Sequence, residues 1–290
     1  MKSGISLESP ANQWKVVLVS YLNTYPIVWG LKKISAELSP EVVLAPPAIC
    51  TQKLLDNETQ VALVPSITYL TSSLNFEILP LGIVADREVD TVLLVGNQPL
   101  ENWKTVFLDP DSLTSVRLTK IIFRQKNLFP KFICGIERIR NLNNNSGALI
   151  IGNKCFELAP QFAIAYDLSK LWFDLTQLPF IFALFLARPQ TDQSVLKKAY
   201  QIIKMAIELG LKNLDQVVDD WIKENPSESE RNNRERQYYC EYLKNKISYF
   251  LTPETILSLR KFFSHCSEKL APEKEARLTS EYFLRSFSTT

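Results

Sequence analysis

Six short apolar runs, separated by helix-like segments, constrain the fold of this chain more than any other feature. They lie at Val16–Val19, Val61–Val64, Thr91–Val95, Val106–Leu108, Ala148–Ile151 and Phe180–Ala187. Continuous runs rich in β-branched and other apolar residues are typical of strands that are buried on both faces. The alternation therefore predicts an α/β fold in which helices cover both sides of a sheet.

The pattern changes near Gln193, after which helical periodicity dominates and predicts a helical C-terminal region. One helix is predicted over Ser194–Leu209, with Gly210 as its stop. Another is predicted to begin after Thr252, which can cap it. The chain's only histidine, His265, follows in this last helix and lies off its apolar face, so we expect an exposed surface histidine. That face is formed by Ile256, Leu259, Phe263 and Cys266.

The charge balance and the cysteine pattern narrow the class of protein. With 33 basic and 31 acidic residues the net charge is +2, which gives no support for nucleic acid or an anionic membrane as the main partner. The longest apolar run has eight residues, Phe180–Ala187, whereas a membrane helix needs about 20. The five cysteines are scattered without a CxxC pair, and the first ten residues contain no apolar signal segment. We therefore expect a cytoplasmic protein.

Three of the predicted strands end in the same chemistry. Ser20, Asn23 and Thr24 follow the first run. Ser66 follows the second, and the segment Asp109–Ser115 follows the fourth and leads into a helix-like stretch. Each is an apolar strand, then hydroxyl or amide side chains, then the start of a helix.

Two interpretations of these strand ends stay open. Ser, Thr, Asn and Asp cap helices by accepting hydrogen bonds from free N–H groups. Alternatively, the strand ends line a ligand cleft, since ligands of open α/β sheets bind beyond the carboxyl ends of the strands. Helix N-termini there would favour a small anion.

Familiar catalytic and nucleotide-binding motifs are missing from the sequence. It contains no GxGxxG, no GxxxxGK[ST] and no GxSxG. The only histidine lies in the predicted last helix, off its apolar face, which argues against a histidine-based triad, and a single histidine gives no zinc-type spacing. Asp109 and Asp111 flank a turn, where stabilising the turn is the simpler role than acting as a catalytic pair. An enzyme built on this chain would work with hydroxyls, amides and backbone dipoles.

Five motifs in chain order carry a resemblance to a known family. VSYLNTYPI, ALVPSITYL, LDPDSLTSVRL, ALIIGN and YDLSKLWFDLTQLPFIFALFLAR resemble the chorismate dehydratases of the futalosine route to menaquinone. The resemblance runs from about Val16 to Arg188 and continues more weakly through residues 242–262.

The resemblance implies a fold and a reaction. The fold is the two-lobed architecture of type II periplasmic binding proteins, with a ligand cleft between the lobes. Residues 1–95 are expected to begin lobe 1, residues 96–183 to form lobe 2, and residues 184–290 to return to lobe 1 and form the C-terminal helices. The reaction removes water from chorismate, a small dianion, without cofactor or metal. The family's base is thought to be the substrate's own enolpyruvyl carboxylate.

The resemblance also implies roles for individual residues. Asn23 matches the asparagine that positions substrate and polarises the leaving hydroxyl. Thr91 falls on a serine of the hinge strand, so the two are the expected catalytic residues. Substrate binding is expected from the remaining residues of the strand ends and from one later position: Ser20, Ser66, Ser112, Thr114, Ser115 and Asn153.

Some positions depart from the family's usual pattern. Asn153 stands where an IGD motif usually has its aspartate, and Gln177 where a TGLPF motif has its glycine. Phe185 replaces a tryptophan, and Ser258 replaces a glycine. The missing carboxylate at position 153 bears on activity more than on fold.

Two other functions remain possible on the same residues. A cytosolic small-carboxylate binding protein or sensor would share the fold but not the chemistry. The sister enzyme that makes dihydroxynaphthoate is expected to carry a cleft histidine and an SPCPND motif, and this chain has neither.

Overall fold

The computed structural model describes residues 14–35, 38–135, 137, 139–225 and 233–287, and these residues form two mixed β-sheets with helices packed on them. No helix in this part of the chain is long and apolar enough to cross a membrane.

The first sheet has six strands in the order β11-β4-β10-β3-β1-β2. The neighbours β2, β1 and β3 run parallel, while β10 and β11 pair antiparallel with their neighbours. Every residue of β3 and β10 is buried, as expected for strands covered on both faces. The strands are β1 (Lys15–Val19), β2 (Glu41–Ala45), β3 (Val61–Pro65), β4 (Glu77–Ala85), β10 (Phe180–Ala187) and β11 (Ser248–Phe250).

The second sheet has five strands in the order β7-β6-β8-β5-β9. Its central strand, β8, is buried at every residue, whereas the edge strand β7 is not buried at any. The strands β7, β6 and β8 run parallel, and β5 is antiparallel to both of its neighbours. The strands are β5 (Val92–Gly96), β6 (Thr105–Leu108), β7 (Lys131–Cys134), β8 (Ser146–Ile151) and β9 (Ile164–Asp167).

Helices connect the strands and dominate the last hundred residues. Before β10 they are α1 (Tyr25–Lys33), α2 (Pro47–Leu55), α3 (Ile67–Thr71), α4 (Leu113–Gln125), α5 (Lys154–Leu158) and α6 (Leu168–Thr176). After β10 they are α7 (Gln193–Lys212), α8 (Leu214–Glu224), α9 (Asn233–Asn245), α10 (Pro253–Ser264), α11 (Pro272–Arg277) and α12 (Ser280–Phe287).

The chain passes from the first sheet to the second between β4 and β5, and returns between β9 and β10. The predicted lobe boundaries after residues 95 and 183 fall inside β5 and β10, which belong to the second and the first sheet. Asp167 holds the segment between β4 and β5 in place, because its Oδ2 accepts hydrogen bonds from the N–H groups of Val89 (2.9 Å) and Asp90 (2.7 Å).

Gly210 does not end a helix, contrary to the prediction from sequence. It lies inside α7, where a Cβ atom would stand 2.2 Å from the carbonyl oxygen of Pro26. Gly30 of α1 has the same relation to Ala206, whose carbonyl oxygen would be 2.1 Å from a Cβ. The two glycines let α1 and α7 pack with their backbones almost in contact.

The last predicted helix start is confirmed. Thr252 caps α10 by accepting a hydrogen bond from the N–H of Thr255 (3.3 Å), and Thr255 Oγ1 accepts one from Thr252 N–H (2.8 Å). The expectation that His265 is an exposed surface residue is wrong, because its ring is half-buried edge-on against Trp172 with ring centres 6.1 Å apart.

Candidate functional site

A cleft between the two sheets collects the predicted strand ends. Its empty space is about 530 Å³, counting the part open to solvent at its mouth. A cleft at the carboxyl ends of the strands is the usual place for a small-molecule site in an α/β fold. Val19 and Pro65 contribute from the ends of β1 and β3, and Ile151 from the end of β8.

The structure brings four of the eight predicted site residues to the wall of this cleft. These are Asn23, Thr91, Ser112 and Ser115. Ser20 is exposed and lies outside the described lining, and so do Ser66, Thr114 and Asn153. A role in catalysis or substrate binding stays a prediction for all eight residues. Ser66, Thr114 and Asn153 make hydrogen bonds to other parts of the protein, which are described below.

Asn23 is held in a short 3-10 turn, Leu22–Thr24, between β1 and α1. Its side chain does not cap the helix; its Oδ1 accepts a hydrogen bond from the hydroxyl of Thr24 at 3.2 Å. The hydroxyl of Tyr249 donates to the backbone carbonyl of Asn23 at 2.8 Å. Both the amide and the backbone of Asn23 are therefore fixed at the cleft.

Ser112 and Ser115 form the start of α4. Ser112 Oγ accepts a hydrogen bond from Ser115 N–H at 3.3 Å, and the two hydroxyl oxygens lie 2.8 Å apart. The capping interpretation is correct here, and the same residues also line the cleft. Two hydroxyls beside a helix N-terminus are an arrangement that suits a carboxylate.

Ser66 and Thr114 meet each other where the two sheets approach. Ser66 Oγ donates to the carbonyl of Ile181 at 2.8 Å and lies 3.4 Å from Thr114 Oγ1. Thr114 Oγ1 also accepts a hydrogen bond from the N–H of Ile67 at 3.2 Å. Both hydroxyls are buried, so in this arrangement they join α4 to the strand end of β3.

Asn153 makes a second connection across the cleft. Its Oδ1 accepts a hydrogen bond from the N–H of Leu22 at 3.1 Å. Beside it, the ring of Tyr21 lies against Gly152, whose φ of +65° is a conformation that favours glycine. A Cβ on Gly152 would stand 2.8 Å from a ring carbon of Tyr21, so glycine is also needed for this contact.

Sequence reasoning missed two tyrosines of the C-terminal region that support the site. Tyr242 of α9 is buried, and its hydroxyl oxygen is 3.0 Å from Thr91 Oγ1. Tyr249 of β11 contacts Asn23 as described. They lie far along the chain from the strand ends, and the only signal that could have found them is the weak resemblance over residues 242–262.

Strong acids and bases do not line this cleft among the residues that the structure describes. The nearby carboxylate of Asp109 is buried and paired with Lys154, whose Nζ is 2.6 Å from Asp109 Oδ2. Asp109 Oδ1 accepts the N–H of Asp111 at 3.1 Å, so this aspartate holds the turn before α4. Burial raises the pKa of Tyr21, and the charges of Asp111 and Asp109 raise it further, so its hydroxyl is neutral.

Solved structures share this two-lobed arrangement. A protein from Archaeoglobus fulgidus superposes with a TM-score of 0.70 at 16% identity, over 88% of this chain and 97% of that one. The periplasmic aliphatic sulphonate binding protein SsuA from Escherichia coli gives a TM-score of 0.58 at 12% identity, over 97% and 93% of the two chains. The predicted α/β fold of the periplasmic-binding-protein type is confirmed.

Comparison of the whole sequence with known proteins finds the family that the motifs resemble. A chorismate dehydratase from Thermus thermophilus is 28% identical over 196 residues, which cover 61% of this chain and 72% of the relative. A model of a menaquinone biosynthesis family matches residues 14–268. The resemblance seen in the motifs is thereby confirmed, and the chain belongs to this menaquinone biosynthesis family.

Proposed function

We propose that this protein is a chorismate dehydratase, a lyase that removes water from chorismate to give 3-[(1-carboxyvinyl)oxy]benzoate. The observation that carries the proposal is the meeting of Asn23, Thr91, Ser112 and Ser115 at one cleft in a member of this family. The similarity to the Thermus thermophilus enzyme supports the same substrate. We expect the protein to act in the cytoplasm.

The cleft offers binding groups that suit a small dianion. Ser112 and Ser115 supply hydroxyls at the N-terminus of α4, where partial positive charge favours one carboxylate. On the opposite side, Asn23 and Thr24 stand before the start of α1. Two helix starts facing one cleft would hold the two carboxylates of chorismate apart and orient the ring between them.

The reaction is an elimination that conserves electrons and needs no redox partner. A ring C–H bond breaks and its proton passes to the enolpyruvyl carboxylate of the substrate, while its electron pair enters the ring. The C–O bond of the ring hydroxyl then breaks, and the departing oxygen takes the proton back from the enolpyruvyl carboxylic acid, so that it leaves as water and the carboxylate is restored. Aromatisation provides the driving force.

The protein's contribution in this proposal is orientation and polarisation. The amide of Asn23 would donate a hydrogen bond to the departing hydroxyl, where negative charge develops. The serine hydroxyls would hold the ring carboxylate, over which the negative charge created by removal of the ring proton is delocalised. The absence of strong bases among the described lining residues is consistent with a base that belongs to the substrate.

Incubation with chorismate tests the proposal. Chromatography with mass detection should show conversion to a benzoate that is lighter than chorismate by one water. Chorismate that binds, as measured by calorimetry, but stays unchanged would contradict the dehydratase and favour a binding protein of the same fold. Chorismate that does not bind would contradict both.

A further inference from the structure

We propose that Glu268, in the C-terminal region, is a positioning residue that holds the N-terminus of α4 at the cleft through an ion pair with Arg117. Glu268 does not line the cleft and would act only through α4, whose start carries Ser112 and Ser115. The effect on chorismate rests on the proposed function, whereas the effect on α4 rests on the contacts of the helix alone.

The side chains of Arg117 and Glu268 meet in a two-point contact. Arg117 Nη1 lies 3.1 Å from Glu268 Oε2, and Arg117 Nη2 lies 2.6 Å from Glu268 Oε1. A guanidinium that binds both oxygens of a carboxylate adds a fixed orientation to the attraction between the charges. The two side chains are 33% and 35% exposed, so solvent screens this pair less than a fully exposed one.

Glu268 lies in a segment that is anchored on the side of the first sheet. Before it, the ring of Phe263 stacks on Tyr69 of α3, with ring centres 6.4 Å apart. After it, the buried ammonium of Lys274 donates to the carbonyls of Tyr69 (2.9 Å) and Ser72 (2.5 Å), in the connection between β3 and β4. Since α4 follows β6 of the second sheet, the ion pair joins parts of the chain that belong to different sheets.

The ion pair lies on a face of α4 that contacts the side of the first sheet along its length. Thr114, Arg117 and Arg124 are spaced three and seven residues apart, which places them on one side of the helix. Thr114 Oγ1 accepts the N–H of Ile67 as described, and Arg124 Nη2 donates to the carbonyl of His265 at 2.6 Å. Of these three contacts, the one at Arg117 joins two charged side chains, and it lies in the N-terminal half of α4. It can therefore hold the end of the helix that faces the cleft.

Glu268 has two effects on a dianionic ligand, and they have opposite signs. As a negative charge it repels a dianion, so its removal would strengthen binding. As a support for α4 it keeps the helix N-terminus and the serine hydroxyls in place for a carboxylate, so its removal would weaken binding. We expect the second effect to be larger, because the serines would contact the ligand directly whereas the repulsion acts through solvent.

Glu268→Gln tests the proposal, with Glu275→Gln as the matched control. Glu275 pairs with Arg260 at 3.1 Å and both lie in the C-terminal region, so the control removes the same charge without breaking the ion pair of α4. We expect Glu268→Gln to lower kcat/KM for chorismate about three- to tenfold, because the ring carboxylate is held in the transition state as well as in the ground state. Glu275→Gln should leave it unchanged. An unchanged or higher kcat/KM in Glu268→Gln would overturn the proposal, as would an equal loss in both variants.

Exchanging the two charges separates a direct ion pair from a general effect of charge. Glu268→Arg places two positive side chains together at α4 and should lower kcat/KM further than Glu268→Gln, although the added positive charge alone would attract a dianion. Combining it with Arg117→Glu restores opposite charges at this contact and should recover most of the loss. Losses that merely add in the double variant would overturn the proposal.

A measurement without ligand separates this inference from the proposed function. Hydrogen exchange of the backbone amides, followed by mass spectrometry, should be faster in α4 of Glu268→Gln and unchanged there in Glu275→Gln. If the wild-type protein does not convert chorismate, the proposed function fails, and faster exchange in α4 still supports the role of the ion pair in holding the helix. Exchange in α4 that is the same in Glu268→Gln and wild type would overturn it.

Discussion

Asn153 and Leu22 join the two sheets across the cleft by a hydrogen bond of 3.1 Å from the Leu22 N–H to Asn153 Oδ1. Asn153 follows β8 of the second sheet, and Leu22 follows β1 of the first. The position where the family usually has an aspartate therefore holds a side chain that keeps the acceptor oxygen. Asparagine can make this backbone contact without placing a charge beside the ligand.

Removing this connection should weaken ligand binding. Asn153→Ala loses a hydrogen bond worth about 1 kcal/mol that favours the arrangement with the sheets together, so we expect chorismate affinity to fall about fivefold. Asn153→Asp keeps an acceptor and should bind more tightly than Asn153→Ala. Calorimetric titration measures both, with the exposed Asn144→Ala as control. Equal affinity in Asn153→Ala and wild type would show that the contact does not hold the sheets together.

The packing of α1 on α7 predicts that replacing Gly210 by alanine lowers the free energy of unfolding, although alanine usually raises it within a helix. Alanine normally stabilises a helix interior relative to glycine by about 1 kcal/mol. In Gly210→Ala the new Cβ would stand 2.2 Å from the Pro26 carbonyl oxygen, so the helices must separate. We expect a loss of about 1–3 kcal/mol in the free energy of unfolding, measured by urea denaturation.

The control for this change is Gln201→Ala, on the exposed side of the same helix. It should alter stability by less than about 0.5 kcal/mol. A Gly210→Ala variant that is more stable than the wild type would mean that α7 lies farther from α1 than described.

His265 provides a pH prediction that a single resonance can test, because the chain has only one histidine. Burial against Trp172 and the charges of Arg124 and Lys261 hold the pKa of His265 below 6.5. The unfolded chain therefore binds more protons between the folded pKa and 6.5, and the free energy of unfolding should rise with pH through that window.

An NMR titration of the imidazole gives the folded pKa directly, and His265→Gln should abolish this part of the pH dependence of stability. Because His265 lies outside the cleft lining, the substitution should leave the rate of chorismate conversion unchanged. A pKa at or above 6.5 would contradict the burial argument, and a lost rate would contradict the site.

The strand ends could be predicted because local sequence determines them. Buried runs such as Val61–Val64 and Val106–Leu108 became strands with polar turns at their carboxyl ends, and the cleft is lined by Pro65 at the end of the first strand and by Ser112 and Ser115 after the second. Periodicity could not show that Val92–Gly96 belongs to the second sheet, since both sheets use the same kind of apolar strand.

Contacts between distant segments could not be predicted. Gly210 looks like a helix stop from its neighbours, and only the approach of Pro26 explains why a glycine lies within α7. The hydroxyl of Tyr242 contacts Thr91, from which it is separated by 151 residues, and nothing in its own helix marks it. Gln177 replaces a glycine of the family, yet it adopts the left-handed conformation (φ +59°) at the end of α6 that glycine favours.

Turnover by Asn23→Ala tests the central claim most directly. The fold around position 23 is held by backbone contacts, such as the Tyr249 hydroxyl on the Asn23 carbonyl, so thermal stability should change little. At saturating chorismate we expect the variant to lose at least about 100-fold in the rate of water elimination, as for loss of a donor to developing charge. Calorimetry should show binding within about tenfold of wild type. Normal turnover by Asn23→Ala would contradict the account.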